Sequence, residues 1–153
     1  MPMLRLVKRV AAPPPLVFAT AVDVDRFPEA IPGITRVEKL TQGPVGLGTK
    51  FKETRKIFGR EATETMEFTR FDPGRAYALS CESCGCEYRS DFEFRPEGEG
   101  TEIAFTMNVI TKSFFAKLMS PLAKLMAGPM KKCVEADLDS LAKRCEEVAA
   151  TPS

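Results

Sequence analysis

The sequence predicts an α+β fold, a curved antiparallel sheet of about seven strands wrapped around a long C-terminal helix, with two short helices after the first strand. Three observations carry this expectation. From Ile34 to about residue 111, apolar and polar residues alternate in runs separated by turn residues, the period-two pattern of half-buried strands. After Lys112 the apolar spacing becomes helical and holds to Val148. Between the first alternating run and the rest stand Ala12-Pro13-Pro14-Pro15, which cannot continue a central strand.

Taken in order, Met3 to Val10 reads as a strand, with Leu4, Leu6 and Val10 set off by Arg5 and Arg9. The prolines suit a first helical turn, so a short helix runs through Leu16, Val17, Phe18, Ala21 and Val22. A second short helix starts near Asp23 or Asp25 and is stopped by Phe27-Pro28 to Ile31-Pro32-Gly33, before a strand over Ile34 to Leu40. Turns are expected at Gly43 to Gly48, Phe58-Gly59-Arg60, Asp72-Pro73-Gly74, Ser83-Cys84-Gly85 and Pro96 to Gly100. Between them the apolar face carries Phe51, Glu53, Arg55 and Ile57; then Glu64, Met66 and Phe68; then Tyr77, Leu79 and Cys81; then Tyr88, Ser90, Phe92 and Phe94; then Ile103, Phe105, Met107 and Val109. Ser113 is the expected N-cap of the long helix, Pro121 and Pro129 should kink or break it, and residues 148–153 should fray.

The 153 residues suffice for one core, so one ligand-binding domain over 1–153 is expected. Lys plus Arg total 22 against 21 for Asp plus Glu, a net charge of +1 that leaves no electrostatic footprint for nucleic acid. Histidine is absent, which excludes Ser/His/Asp and Cys/His catalysis and His-ligated metals. No run approaches the roughly 20 apolar residues of a membrane span. Arg5, Lys8 and Arg9 interrupt the opening residues as no export signal would, and the five cysteines are odd in number. A cytoplasmic location with reduced thiols is the expectation.

The order of strand, two short helices, six strands and long helix is that of the helix-grip proteins. Together with Ala12-Pro13-Pro14-Pro15 and Val17-Phe18, Asp25-Arg26-Phe27-Pro28, Ile31-Pro32-Gly33, Gly46-Leu47-Gly48-Thr49, Phe71-Asp72-Pro73-Gly74-Arg75 and Gly100-Thr101-Glu102, the chain resembles the SRPBCC (START-like or Bet v 1-like) superfamily from about Leu4 to Val148. The resemblance implies a deep cavity between sheet and helix for lipids, sterols, polyketides or plant hormones. It points within the superfamily to the polyketide cyclase/dehydrase and lipid-transport group. The oxygenase branch holds its iron through histidines and is excluded, and no motif of the co-chaperone branch is found.

Candidate catalytic residues are Glu53, Arg55, Glu64 and Tyr77. Inside the cavity, Arg55 could orient a ligand carbonyl or carboxylate while Glu53 or Glu64 served as a general base. A bulge near Gly48 would instead turn Glu53 and Arg55 to solvent. Cys81, Cys84 and Cys86 cluster at a turn, with Cys81 and Cys86 opposite one another; zinc, a reversible disulfide and plain packing are all open, with packing favoured. Met119, Met126 and Met130, beside Phe114 and Phe115, suit a pocket that closes around variable shapes, or an irregular core, or, if the first half of the helix opens, a transient contact with a membrane surface or a partner helix. Lys112, Lys117, Lys124, Lys131 and Lys132 read as a solvated helix face. Tyr77 and Tyr88 need partners for their hydroxyls if buried, and Arg60 could meet a polar ligand head at the rim.

The expected ligand-binding lining is Phe51, Ile57, Met66 and Phe68 from the early strands, Tyr77, Leu79, Tyr88, Phe92, Phe105 and Met107 from the later ones, and Leu122, Met126 and Met130 from the helix. The leading expectation is binding, transport or sequestration of a hydrophobic small molecule such as a lipid or polyketide. A polyketide cyclase or dehydratase using Glu53, Arg55 or Tyr77 is the first alternative, and an interaction module with a filled core the second. No cofactor and no metal are expected, and a monomer and a homodimer are equally open.

Overall fold

Strand β1 (Leu4–Val10) ends where the chain meets its prolines. Pro14 and Pro15 lie in the first turn of α1 (Pro14–Ala21), where a missing N–H costs nothing, and the helix buries Val17, Phe18 and Ala21. A 3-10 turn over Val24–Arg26 leads into α2 (Phe27–Ala30). The computed structural model describes residues 2–57, 59–83, 85–112 and 127–150. The expectations placed on Phe58, Cys84, Ser113, Phe114, Phe115, Lys117, Met119, Pro121, Leu122, Lys124 and Met126 lie outside these residues, as does the side chain of Ile57.

Six strands follow: β2 (Ile34–Lys39), β3 (Lys50–Ile57), β4 (Arg60–Asp72), β5 (Ala76–Ser83), β6 (Cys86–Glu97) and β7 (Gly100–Thr111). With β1 they form a seven-stranded sheet in the order β1-β7-β6-β5-β4-β3-β2, antiparallel throughout. The sheet curves around α3 (Ala127–Ala150), which is the helix-grip arrangement. Pro129 lies near the start of the described part of α3. The helix also continues to Ala150, through part of the stretch expected to fray.

The turns are tighter than the sequence suggests. Glu97 pairs with Gly100, so the loop is residues 98 and 99 alone, and Gly98 takes the left-handed φ of 61° that a two-residue hairpin requires. Pro96 therefore lies in β6, opposite Thr101. Likewise Arg60 is the first residue of β4, opposite Ile57. It is exposed and does not line the cavity, so it is not the rim residue expected.

Two register shifts decide which side chains point inward. One falls between Ile34 and Arg36, where Thr35 Oγ1 donates to the Thr54 carbonyl at 3.2 Å. The other falls between Phe68 and Arg70. The extra residue in β4 turns Phe71 to the same side as Phe68, and the two rings meet edge to face at 5.8 Å. Phe18 of α1 plugs this end of the sheet, packing on Phe71, Tyr77 and Phe94 at 5.4 to 6.0 Å.

The buried stripe of α3 is Leu138, Leu141, Ala142 and Cys145, the i, i+3, i+4, i+7 spacing of one helix face. Lys131 and Lys132 are exposed on the other side. Two polar ties fix the helix across the end of β1: Lys8 Nζ to Asp139 Oδ1 at 2.6 Å, and the Ala11 N–H to Glu146 Oε2 at 2.9 Å.

Gly100 marks a close approach of chain segments, since a Cβ there would lie 2.6 Å from the Val10 carbonyl oxygen. Gly100→Ala must push β1 aside and is expected to cost about 1–3 kcal/mol. Urea denaturation checks this, with Gly46→Ala as the near-neutral control, because a Cβ at Gly46 meets nothing within 4 Å.

Candidate functional site

A cavity of about 400 Å³ lies between the inner face of the sheet, the short helices and α3. That volume falls within the range of small-molecule sites, and among the described residues the core is not filled. Its floor is aromatic: Tyr77 stacks on Phe92 at 4.5 Å and 17°, and Phe92 meets Phe105 edge to face at 5.0 Å. Met66, Leu79, Met107, Met130, Val134, Leu138 and Leu141 complete most of the apolar wall.

One region of the wall is polar. Alternation along β3 sends Glu53 and Arg55 inward, and both line the cavity rather than facing solvent. Arg55 Nη1 lies 2.9 Å from both carboxylate oxygens of Asp137 on α3, and Arg55 Nη2 lies 3.6 Å from Glu53 Oε2. Glu64 sits directly opposite Glu53 on β4 and accepts a hydrogen bond from Ser83 Oγ at 3.2 Å.

Burial pushes the Glu53 carboxyl above the ordinary carboxylate range, and Asp137 and Glu64 add to the rise against the pull of Arg55. Burial also raises Asp137, outweighing its bond to Arg55. For Arg55 burial works against the charge, but the hydrogen bond and charge of Asp137, then the charge of Glu53, hold its pKa above the usual value. It is a permanent cation. Burial first, then the charge of Glu53, drives the Tyr77 phenol upward, so Tyr77 stays protonated at neutral pH. The Cys81 thiol is pushed up to about 11 by burial and then by Glu64 and Glu53. It is a protonated wall residue rather than a nucleophile.

A raised folded-state pKa means that the contribution of Glu53 to stability is complete below about pH 4.5, its unfolded value, and is lost as pH rises through the folded value. Glu53→Gln removes that loss. The variant is therefore expected to gain stability relative to the parent as pH rises from 4 to 7.5, read as the difference between their urea midpoints. A difference that stays flat would show that Glu53 is not held uncomfortably in the fold.

Of the expected lining, Met66, Tyr77, Leu79, Tyr88, Phe92, Phe105, Met107 and Met130 face the cavity. Phe51 and Phe68 do not. Both are fully buried beneath it, where Phe51 packs between Phe27 and Phe68 at 5.9 Å from each. The short helices fill the end of the sheet that a helix alone would have left open, and this converts wall residues into core. The same helices and the segment after them bring Thr20, Ala21, Phe27, Ala30 and Ile31 into the lining. Sequence periodicity within an eight-residue helix could not show what these residues face.

Asp137 was not among the expected site residues. A signal for it existed, because it lies four residues from both Cys133 and Leu141 on the inward stripe of α3, where a carboxylate calls for a partner.

The cysteine cluster is arranged differently from the expectation. Ser83 pairs with Cys86, so Cys81 faces Tyr88 and not Cys86. Cys81, Cys86, Cys133 and Cys145 are free thiols, and among the described residues no group of three His, Cys, Asp or Glu side chains is placed to hold a metal ion. Nor is any described helix long and apolar enough to cross a membrane.

Comparison with solved structures finds the same architecture repeatedly. The chain resembles the Zhui aromatase/cyclase of a Streptomyces species at 20% identity and a TM-score of 0.79, covering 96% of this chain and 95% of that one. A START superfamily protein of Mycobacterium smegmatis matches at 17% identity and a TM-score of 0.75, covering 95% and 97%. A protein of Thermus thermophilus matches at 22% identity and a TM-score of 0.71, covering 96% and 99%. At these identities the likeness concerns the fold. No curated protein matches the chain by sequence. The model of one family, described as polyketide cyclase / dehydrase and lipid transport, matches residues 1–146. With that match over nearly the whole chain, and the seven-stranded sheet gripping its C-terminal helix, the chain belongs to the polyketide cyclase/dehydrase and lipid-transport family of the SRPBCC superfamily.

Proposed function

We propose that the chain, acting as one domain over residues 1–153, binds a hydrophobic small molecule such as a lipid or polyketide for transport or sequestration. The observation that carries this is the cavity of about 400 Å³, apolar over most of its wall and polar in one region. Such a site gains most of its affinity from burying apolar surface, and it uses a few polar groups to orient the ligand. Met66, Met107 and Met130 on its wall give a surface that adapts to shape at little cost. The family to which the chain belongs includes lipid transport in its description. Native mass spectrometry of the protein purified from its own host tests the proposal. A co-purifying apolar mass, released on denaturation, is the expected result. A clean unliganded mass, with no stabilisation by any member of an apolar ligand library, would overturn it.

A second reading, catalysis of the cyclase or dehydratase type, is favoured by one further observation: a buried carboxyl, a guanidinium and a phenol share the cavity. Glu53, its carboxyl raised by burial, is suited to proton abstraction, Arg55 to polarising a carbonyl, and Tyr77 to donating a hydrogen bond. On a linear poly-β-ketone thioester, Glu53→Gln and Arg55→Ala are each expected to lower turnover by a factor of about 10²–10⁴. Full activity in both variants would sink it.

A further inference from the structure

We propose that the cavity takes apolar molecules whose polar end donates hydrogen bonds, best as a protonated amine, and turns away those ending in a carboxylate, because Glu53, Glu64 and Asp137 face it against Arg55 alone. This deepens the hydrophobic-ligand proposal and rests on it.

The geometry gives the reason. Among the described residues Arg55 is the one cation lining the cavity. Its Nη1 is already taken, lying 2.9 Å from both oxygens of Asp137. Glu53 meets Arg55 Nη2 only at 3.6 Å, beyond hydrogen-bond length, and stands opposite Glu64 in the register of β3 and β4. A carboxylate accepts at about four lone-pair sites. Glu64 uses one of its sites for Ser83. The polar region therefore offers acceptors in excess. Tyr77, 3% exposed, also lines the cavity, so its phenol is a further polar group that a ligand meets.

A ligand carboxylate placed here would face like charges in a region of weak screening, or would have to displace Asp137 from Arg55. A hydroxyl would donate to Glu53 or Glu64 without that repulsion. An ammonium group would donate three hydrogen bonds and offset the excess negative charge.

The test uses the unmodified full chain and three probes with the same twelve-carbon tail: dodecylamine, 1-dodecanol and dodecanoate. Each displaces the neutral dye N-phenyl-1-naphthylamine at pH 7.5 and 150 mM salt. The amine is expected to bind at least tenfold tighter than dodecanoate, with the alcohol between them. In the folded Glu53→Gln/Glu64→Gln variant the ratio of amine to carboxylate affinity should fall to about threefold or less. Dodecanoate binding as tightly as dodecanol to the unmodified chain would overturn the proposal without touching the cavity reading. A tenfold preference that survives in the double variant would overturn its assignment to these carboxylates. If neither the dye nor any probe binds, the hydrophobic-ligand reading falls and takes this one with it.

Discussion

Phe68→Ala is expected to lower the folding free energy by about 3–5 kcal/mol, the cost of an emptied aromatic site in a close-packed core. Phe68 is fully buried and touches the rings of Phe51, Phe71 and Tyr77 at 5.6 to 5.9 Å. The neighbours cannot collapse into the void, because Phe51 is held from the other side by Phe27 and Phe71 by Phe18. For a chain of this size the loss corresponds to a fall in Tm on the order of 10 °C. Since small domains are stable by only about 5–15 kcal/mol, the variant stands near the threshold of folding. Chemical denaturation of Phe68→Ala beside Phe68→Leu measures the effect, and the leucine variant should keep more than half of the lost stability. A loss below about 1 kcal/mol for the alanine variant would mean that this ring is not close-packed in the core.

Arg55→Met carries the second large effect, a loss of about 2–3 kcal/mol at pH 7.5. The substitution keeps most of the side-chain volume and removes the charge, leaving Asp137 and Glu53 without their cation. Breaking a fully buried pair costs about 3–5 kcal/mol; here the side chains retain 14 to 26% exposure, so the lower figure applies. The sign of the pH dependence follows from the same residues. Without Arg55 both carboxyls rise further above their unfolded values, so the loss shrinks as pH falls and the carboxyls take up protons. The Arg55→Met/Asp137→Asn double variant should recover at least half of the loss, because it removes the stranded charge as well as its partner. Urea midpoints of the parent, Arg55→Met, Asp137→Asn and the double variant at pH 5 and 7.5 decide the matter. A loss that is equal at both pH values would indicate that Arg55 acts through packing alone.

Both experiments probe features that differ in how far the amino-acid order reveals them. The strands were legible because Tyr88, Ser90, Phe92 and Phe94 alternate with charged neighbours, and a sheet with one wet face cannot slip by one residue without burying those charges. The inward aim of Glu53 and Arg55 was legible for the same reason once no bulge fell near Gly48. Phe71 was not, because strict alternation from Phe68 assigns it to solvent and only the extra residue between Phe68 and Arg70 reverses that. A bulge of this kind is settled by which side chains best fill the space, and no local pattern marks it.

The amino-acid order by itself determined the class of fold, the order of its elements, the exclusion of histidine chemistry, and the sheet residues that look inward apart from Phe71, since these depend on periodicity and on what proline, glycine and charge forbid locally. Only the tertiary structure decided that Phe51 and Phe68 are core beneath the cavity, that Thr20, Phe27 and Ile31 belong to its wall, and that Arg55 spends its charge on Asp137, 82 residues further along the chain. Those outcomes depend on how α1, α2 and α3 meet the sheet, a long-range packing choice between segments whose local sequences are each compatible with several partners.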